Sequence, residues 1–177
     1  MSVEINGRKF RILIESSQIS KKVSELGKKI TQDYRDKDLV IICVLKGGLI
    51  FLADLVRRIE IEAEIDFIWA SSYKDSMEAG EIELLTDIRI PIENRDVLLV
   101  EDLIDSGTTL DFIRQHILSK HPKSLKICAL IRKNKTPKAN IYIDYLGFEI
   151  EDKFIVGYGT DFAEHGRNLP DIYVIDN

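Results

Sequence analysis

Acidic and hydroxyl side chains gather directly after an apolar run in the middle of the chain. Residues 97–100 are followed by Glu101 and Asp102, then by Asp105 and the small polar segment 106–109. A loop of this composition before a helix offers unpaired backbone N–H groups and hydroxyls, which together suit a phosphate ester. The candidate phosphate loop therefore comprises Asp105, Ser106, Gly107, Thr108 and Thr109. The alternative is that Ser106 or Thr108 only caps the helix.

The adjacent carboxylates need a different partner, because they would repel a bare phosphate. Carboxylate oxygens accept hydrogen bonds, which suits the hydroxyls of a ribose. They are also the ligands through which proteins bind hydrated Mg²⁺. Glu101 and Asp102 therefore predict a phosphorylated sugar accompanied by a magnesium ion.

Two further apolar segments also end in charged or flexible residues. Lys46-Gly47-Gly48 follows residues 39–45, and Lys133 comes shortly after residues 127–131. Ligands of open parallel sheets bind beyond the carboxyl ends of the strands. If these strands are neighbours, their ends converge on one crevice, and Lys46 with Gly47 supplies a second anion site. Taken alone, Lys46 could equally be a surface lysine in a turn.

The spacing of apolar residues predicts the elements that hold these groups. Asn6-Gly7 between two β-like arms predicts a hairpin, and helical spacing predicts an amphipathic helix over 18–34. The other predicted segments are strands at 39–45, 61–69, 82–90, 97–101 and 127–131, a loop at 71–81, a helix from about residue 109 and short strands in the tail. This alternation is typical of an α/β domain with a largely parallel sheet.

Length and composition restrict the class of protein. The chain of 177 residues, 45% hydrophobic and 31% charged, suits one globular domain. A net charge of −5 argues against a general nucleic-acid-binding role. Cys43 and Cys128 lie in apolar runs and are predicted to be core residues. Without a signal-peptide or membrane-length apolar segment, we expect a cytoplasmic protein that binds neither nucleic acid nor membrane.

Other nucleotide and hydrolase motifs are absent from the sequence. It lacks the GxxxxGK[ST] pattern of P-loop proteins, and Gly157 and Gly159 lack the third glycine of a dinucleotide site. It has no HExxH metal motif and no GxSxG nucleophile elbow. The three strand ends therefore remain the strongest candidate site.

The segment VLLVEDLIDSGTTL, residues 97–110, resembles the phosphoribosyl-pyrophosphate-binding signature of type I phosphoribosyltransferases. The segments VLKGG, SSY and EDKFIVGYGTDFAEHGRNLP resemble the hypoxanthine-guanine phosphoribosyltransferase branch of that family. The likeness extends from about residue 10 to 175. It implies an α/β fold with a mainly parallel central sheet flanked by helices. We expect one domain over 1–177, with a core at about 35–150 and a small hood built from the N-terminal segment and about 151–177.

The resemblance implies an activity in purine salvage. Such an enzyme transfers the 5-phosphoribosyl group from phosphoribosyl pyrophosphate to hypoxanthine or guanine, giving IMP or GMP plus pyrophosphate. It requires Mg²⁺ and usually forms a homo-dimer or homo-tetramer. Two alternatives stay open: an enzyme for another base such as xanthine, and a non-catalytic regulator that senses nucleotides and binds RNA.

The resemblance also implies which residues hold the sugar and its two phosphate groups. Residues 105–109 would bind the 5′-phosphate, and Glu101 and Asp102 the ribose hydroxyls and Mg²⁺. The pyrophosphate would contact Lys46, Gly47 and Arg167, with a cis peptide bond at Leu45–Lys46. On residue type alone, Arg167 could instead be a surface ion-pair residue.

Further residues are implied to surround the purine. Asp105 would accept its proton, Lys133 would reach its 6-oxygen, and Phe154 would stack on the ring. The remaining implied residues are Ile155 at the edge of the base, Asp161 beside the base and a second Mg²⁺, and Ser72 and Tyr73 in a loop that closes over the site. Phe154 could instead be an ordinary core residue.

The sequence departs from the family pattern beside these pockets. Thr160 stands where an apolar residue is expected, and His165-Gly166 precedes Arg167 where an aromatic residue is expected. The preference among hypoxanthine, guanine and xanthine therefore stays open.

Overall fold

The structure, a computed structural model, describes residues 2–72, 82–135 and 141–176. Tyr73, predicted to belong to a closing loop, lies outside these residues, as does the side chain of Ser72. The elements in chain order are β1 (Ser2–Ile5), β2 (Arg8–Ile14), α1 (Ser16–Asp33), β3 (Leu39–Val44), α2 (Gly48–Val56), β4 (Ala63–Ser72), β5 (Ile82–Thr86), β6 (Asp96–Ile104), α3 (Thr108–Leu118), β7 (Ser124–Asn134), β8 (Tyr145–Glu151), β9 (Ile155–Val156) and β10 (Ile172–Ile175).

A six-stranded sheet in the order β5-β4-β3-β6-β7-β8 forms the centre of the molecule. Its strands from β4 to β8 in this order run parallel, and only the edge strand β5 is antiparallel. Every residue of β3 is buried, as expected for a strand covered on both faces. The mainly parallel sheet inferred from the sequence is confirmed.

The two faces of the sheet belong to different hydrophobic cores. Ile41 and Leu98 pack in the core that also holds the apolar faces of α1 and α2. Their chain neighbours Ile42 and Leu99 point to the opposite core, which contains the inner face of α3. Because successive strand residues alternate between faces, the apolar runs of β3 and β6 bury both sides of the sheet at once.

The two ends of the chain meet in a second, antiparallel sheet of order β1-β2-β10-β9. Asn6 and Gly7 have φ values of 48° and 73° in the β1–β2 turn, so the predicted hairpin is confirmed. Phe10, Val156 and Tyr173 form a small core of its own under this sheet. We call this four-stranded sheet, with the loops at residues 152–171, the hood.

The predicted ends of the strands at 97–101 and 127–131 are wrong. β6 extends to Ile104 and β7 to Asn134, so Asp102 and Lys133 lie within strands and not after them. The parallel ladder continues there, pairing Ile104 with Arg132 and Arg132 with Glu149. Apolar periodicity misses such residues, because a strand that borders a polar cleft keeps its backbone pairing while its side chains become polar.

The predicted strand at 82–90 is correct only over β5. Beyond it, the Asp66 carboxylate accepts hydrogen bonds from the backbone N–H groups of Arg89 and Ile90 at 2.6 and 2.8 Å. A side chain thus satisfies these donors in place of a neighbouring strand. The strand β8 was not recognised from the sequence at all.

Two further expectations from the sequence concern the cysteines and membrane-spanning segments. Cys43 and Cys128 are buried free thiols, as predicted. None of the helices within the described ranges combines the length and the apolar character required to cross a bilayer.

Replacement of Leu98 by alanine tests the double-sided burial of β6. Leu98 is fully buried, so Leu98→Ala should lower the free energy of unfolding by about 2–5 kcal/mol, measured by chemical denaturation. Leu85→Ala is the matched control, because Leu85 is 48% exposed and its truncation should change stability by less than about 0.5 kcal/mol. Equal losses in the two variants would contradict this packing.

Candidate active site

A cleft of about 380 Å³ opens at the carboxyl ends of β3, β6 and β7 and is closed on one side by the hood. These strands are direct neighbours, so their ends converge as their sequences suggested. The predicted site residues that line the cleft are Gly47, Glu101, Asp102, Asp105, Thr109, Lys133, Phe154, Ile155, Asp161 and Arg167. Lys46, Ser106, Gly107 and Thr108 are not among its lining residues, and Gly107 lines a smaller neighbouring cavity with Asp105 and Lys133.

The candidate phosphate loop ends in the first turn of α3. Gly107 occupies the position before the helix with φ 80°, and no side chain caps the helix there. Ser106 Oγ instead lies 3.2 Å from Thr108 Oγ1 and 3.4 Å from the Thr108 N–H. Backbone donors at a helix start attract anions through their position at the positive end of the helix dipole. Because the N-cap residue makes no side-chain hydrogen bond to the helix, the first turn of α3 offers backbone donors to an anion, as expected of the candidate phosphate loop.

Glu101 and Asp102 are both buried at the end of β6. Burial, followed by the charge of Asp102, raises the pKa of Glu101 well above its ordinary value. No lysine or arginine pairs with either carboxylate among the residues that the structure describes. A divalent cation would relieve this repulsion, and Mg²⁺ needs only one or two protein carboxylates because it keeps several waters. The donor set therefore fits Mg²⁺, although the described ranges contain no group of three or more potential ligands.

The turn between β3 and α2 is held between β6 and the hood. A Cβ atom on Gly47 would overlap the Asp102 carboxylate, and one on Gly159 would overlap the Gly47 carbonyl. Glycine is therefore required at both positions by close approach. The Leu45–Lys46 peptide bond in this turn is cis, as the family resemblance implied.

The two cations expected at the pyrophosphate share one carboxylate. Glu164 Oε2 lies 3.0 Å from Lys46 Nζ and 3.5 Å from Arg167 Nη2. Arg167 also contacts Asp161 at 2.8 Å and donates from Nη1 to the Gly159 carbonyl at 2.8 Å. Arg167 is thus fixed within the hood loop. Hydrogen bonding and charge attraction from Lys46 hold the pKa of Glu164 below its ordinary value.

A second charge cluster surrounds Asp105. Lys133 Nζ lies 3.3 Å from Asp105 and 3.4 Å from Asp152, and Lys135 pairs with the same two carboxylates. Partial burial raises the pKa of Asp105, but the pairs with Lys135 and Lys133 outweigh it, so this pKa lies below its ordinary value. Asp105 is therefore ionised at neutral pH and can accept a proton.

An aromatic surface bounds the hood side of the cleft. Phe154 is 43% exposed, and its ring packs edge-on against Phe162 at 5.5 Å and in a tilted arrangement against Phe10 at 6.4 Å between centroids. Phe154 is therefore not an ordinary core residue, because part of its surface remains open to a ligand. The neighbouring Ile155 is buried and pairs its backbone with β10.

The two departures from the family pattern have local explanations. The hydroxyl of buried Thr160 donates to the Gly157 carbonyl at 2.9 Å, so its polarity is satisfied within the loop. Gly166 has φ 90°, and a Cβ atom there would lie 2.5 Å from Val156 Cγ2. A larger residue at this position would require a different path of the hood loop.

The sequence reasoning missed three charged residues of the site: Lys135, Asp152 and Glu164. Lys135 follows Lys133 by two positions, and residues at this spacing along a strand project to the same side. That signal was available in the sequence. Asp152 and Glu164 lie in irregular loops, where no periodicity predicts which way a side chain points.

Comparison with known proteins gives concordant matches. Residues 13–163 match the phosphoribosyl transferase domain family. The hypoxanthine-guanine phosphoribosyltransferase of Aquifex aeolicus is 40% identical over 176 residues, which cover 98% of this chain and 99% of the relative. The enzyme of the same name from Bacillus subtilis is 44% identical over 166 residues, covering 93% and 92%. A crystal structure of a hypoxanthine-guanine phosphoribosyltransferase from Bacillus anthracis has a TM-score of 0.87 at 44% identity, covering 94% and 97%.

The shared carboxylate of Glu164 leads to a prediction about anion binding. Glu164→Gln should bind inorganic pyrophosphate about two- to fivefold more tightly in the presence of Mg²⁺. The reason is that the ligand no longer has to displace the Glu164 carboxylate from Lys46 and Arg167. Isothermal titration calorimetry measures the change. Glu151→Gln is the control, since Glu151 forms a comparable exposed pair with Lys153 and does not line the cleft. Unchanged or weaker binding by Glu164→Gln would contradict this competition.

Proposed function

The chain belongs to the phosphoribosyltransferase family, and from this premise we propose that it transfers the 5-phosphoribosyl group of phosphoribosyl pyrophosphate to hypoxanthine or guanine. The products are IMP or GMP and pyrophosphate, as expected for purine salvage. One observation carries the proposal: a helix start suited to phosphate, two buried carboxylates, and a lysine beside an exposed aromatic ring meet in one cleft.

The sugar is proposed to lie along the end of β6. The backbone N–H groups and hydroxyls of residues 106–109 would bind its 5′-phosphate, and Glu101 and Asp102 would accept hydrogen bonds from its hydroxyls. The same two carboxylates would hold Mg²⁺, which supplies positive charge to the pyrophosphate group. When pyrophosphate leaves, positive charge develops on the sugar ring, and these fixed carboxylates stabilise it.

Pyrophosphate is proposed to lie between the β3–α2 turn and the hood loop. Its contacts would be the backbone of Gly47 and the cations Lys46 and Arg167, which exchange Glu164 for the phosphate oxygens. Asp161, now paired with Arg167, would hold a second Mg²⁺ beside the base once this pair loosens.

The purine is proposed to lie between Lys133 and Phe154. An ammonium group only donates hydrogen bonds, so Lys133 favours a base with an oxygen at position 6 over one with an amino group there. Phe154 would stack on the ring, and the backbone of Ile155 would meet its edge. Asp105 would accept the proton that the purine loses on bond formation. Ser72 and Tyr73 are assigned by resemblance to a loop that excludes water from the reacting centre.

The compartment and the assembly of the enzyme are proposed from its cysteines and its family. Two buried free thiols suit a reducing compartment, and we place the activity in the cytoplasm. A homo-dimer or homo-tetramer is proposed from the family. The exposed apolar residues Leu49 and Ile50 on α2 offer a surface for such a contact.

A base screen tests the proposed reaction directly. The purified protein with phosphoribosyl pyrophosphate and Mg²⁺ should consume hypoxanthine or guanine, followed by absorbance, and should leave adenine and uracil unchanged. Turnover should stop when Mg²⁺ is chelated. Retention of RNA at low salt with no turnover of any base, xanthine included, would contradict the proposal and favour a regulator.

The role of Asp105 is tested by Asp105→Asn. Loss of the proton acceptor should lower kcat by about 10²- to 10⁴-fold, while the KM for phosphoribosyl pyrophosphate changes little. Asp36→Asn is the matched control, because Asp36 is exposed at the amino-terminal edge of the sheet, before β3. Wild-type turnover by Asp105→Asn across neutral pH would exclude Asp105 as the proton acceptor.

A further inference from the structure

Lys135 occupies a position beside the cleft to which neither the family pattern nor the sequence assigned a role. It lies directly after β7, with its side chain 29% exposed. Its ammonium group pairs with Asp105 and lies 3.4 Å from Asp152. Hydrogen bonding with Asp105 outweighs partial burial and raises the pKa of Lys135, so the lysine is charged at neutral pH.

Lys133 and Lys135 contact the same two carboxylates from different depths. The Lys133 side chain is 10% exposed and lines the cleft, whereas Lys135 lies nearer the surface and lines only the neighbouring cavity. In the proposed reaction Lys133 turns to the 6-oxygen of the base, so its pair with Asp105 weakens. Lys135 does not bind the base in the proposed complex, so it can keep its contact with Asp105 during the reaction.

The two lysines reach the same oxygen of Asp105. In both pairs the closest contact is to Oδ1. Two ammonium groups drawn to the same carboxylate oxygen favour one orientation of the group. Oδ2 is then the oxygen farther from both lysines and is left for a proton donor.

We propose that Lys135 is a positioning residue for the proton acceptor: it holds Oδ1 of Asp105, braced by Asp152, so that Oδ2 faces the purine. This inference rests on the proposed function. The charged groups that face Asp105 in the described ranges are Lys133, Lys135 and, through them, Asp152. Lys135 thus keeps Asp105 ionised and oriented while Lys133 is engaged with the base.

The variant Lys135→Gln tests the proposal by its rate and its pH dependence. We expect kcat to fall about tenfold, a fraction of the 10²–10⁴ that a positioned proton acceptor contributes. The acidic limb of the pH–rate profile should move to higher pH, because Asp105 loses a neighbouring positive charge and its pKa rises. The KM for phosphoribosyl pyrophosphate should stay near the wild-type value, since other residues hold its phosphates.

Conservative and distant variants separate positioning from general charge effects. Lys135→Arg keeps the charge and the donors and should restore most of the rate. Lys22→Gln removes the same charge from an exposed pair with Glu25 on α1 and should behave as wild type. A Lys135→Gln enzyme with wild-type kcat and an unmoved acidic limb would overturn the proposal. Should that variant fail to fold, Lys135→Met keeps the apolar stem and carries the same expectations.

A titration without turnover distinguishes this inference from the proposed function. Carbon-13 NMR of the side-chain carboxyl of Asp105 should report a higher pKa in Lys135→Gln than in the wild type. Equal values in the two proteins would overturn the role of Lys135 whatever the enzyme catalyses. A wild-type protein that consumes no base would instead refute the proposed function, even with a clear difference between the two titrations.

Discussion

The arrangement of the site depends on the close approach of Gly47 to the Asp102 carboxylate and to the backbone at Gly159. The turn after β3 lies so close to Asp102 on one side and to Gly159 on the other that neither glycine could carry a side chain. This contact fixes the distance between the end of the parallel sheet and the hood. A cleft between the two can therefore have defined dimensions, although the hood consists of short strands with a small core. Because closely packed groups transmit displacements, a shift of the turn would reach both the Asp102 carboxylate and the hood loop.

Charge in the cleft is divided unevenly. The cations pair with carboxylates from loops: Lys46 and Arg167 with Glu164, and Lys133 and Lys135 with Asp152 and Asp105. The buried carboxylates of β6 have no cationic partner in the described part of the chain, and burial raises the pKa of Glu101. In the proposed complex, anionic substrate groups would replace these partners, whereas a metal ion would supply positive charge beside Glu101 and Asp102. The proposal therefore favours binding of a phosphorylated ligand together with its cation.

The sequence predicted the fold class and the family more accurately than the ends of the strands. The apolar runs at β3, β6 and β7 identified buried parallel strands. Both faces of such strands are covered, so apolar residues follow one another without alternating with polar ones. The same reasoning ended β6 and β7 too early, because Asp102 and Lys133 are polar residues of the cleft although strand pairing continues beyond them. Glycine and hydroxyl residues before a helix are a local signal, so the candidate phosphate loop could be located from the sequence alone. Glu164 gave no such signal, because its position depends on the path of the hood loop around Gly159.

The hood also limits how the base pocket can vary within this fold. Phe154, Phe10 and Phe162 pack as one aromatic cluster, so the exposed face of Phe154 is set by two rings that lie outside the cleft. Thr160 directs its hydroxyl to the Gly157 carbonyl and leaves no unsatisfied polar group that a base would have to match. Gly166 lets the hood loop pass close to the Val156 side chain. The next residue, Arg167, then donates a hydrogen bond to the Gly159 carbonyl in the same loop. The departures from the family pattern therefore affect the loop that carries Arg167, and Lys133 remains the group proposed to select an oxygen at position 6.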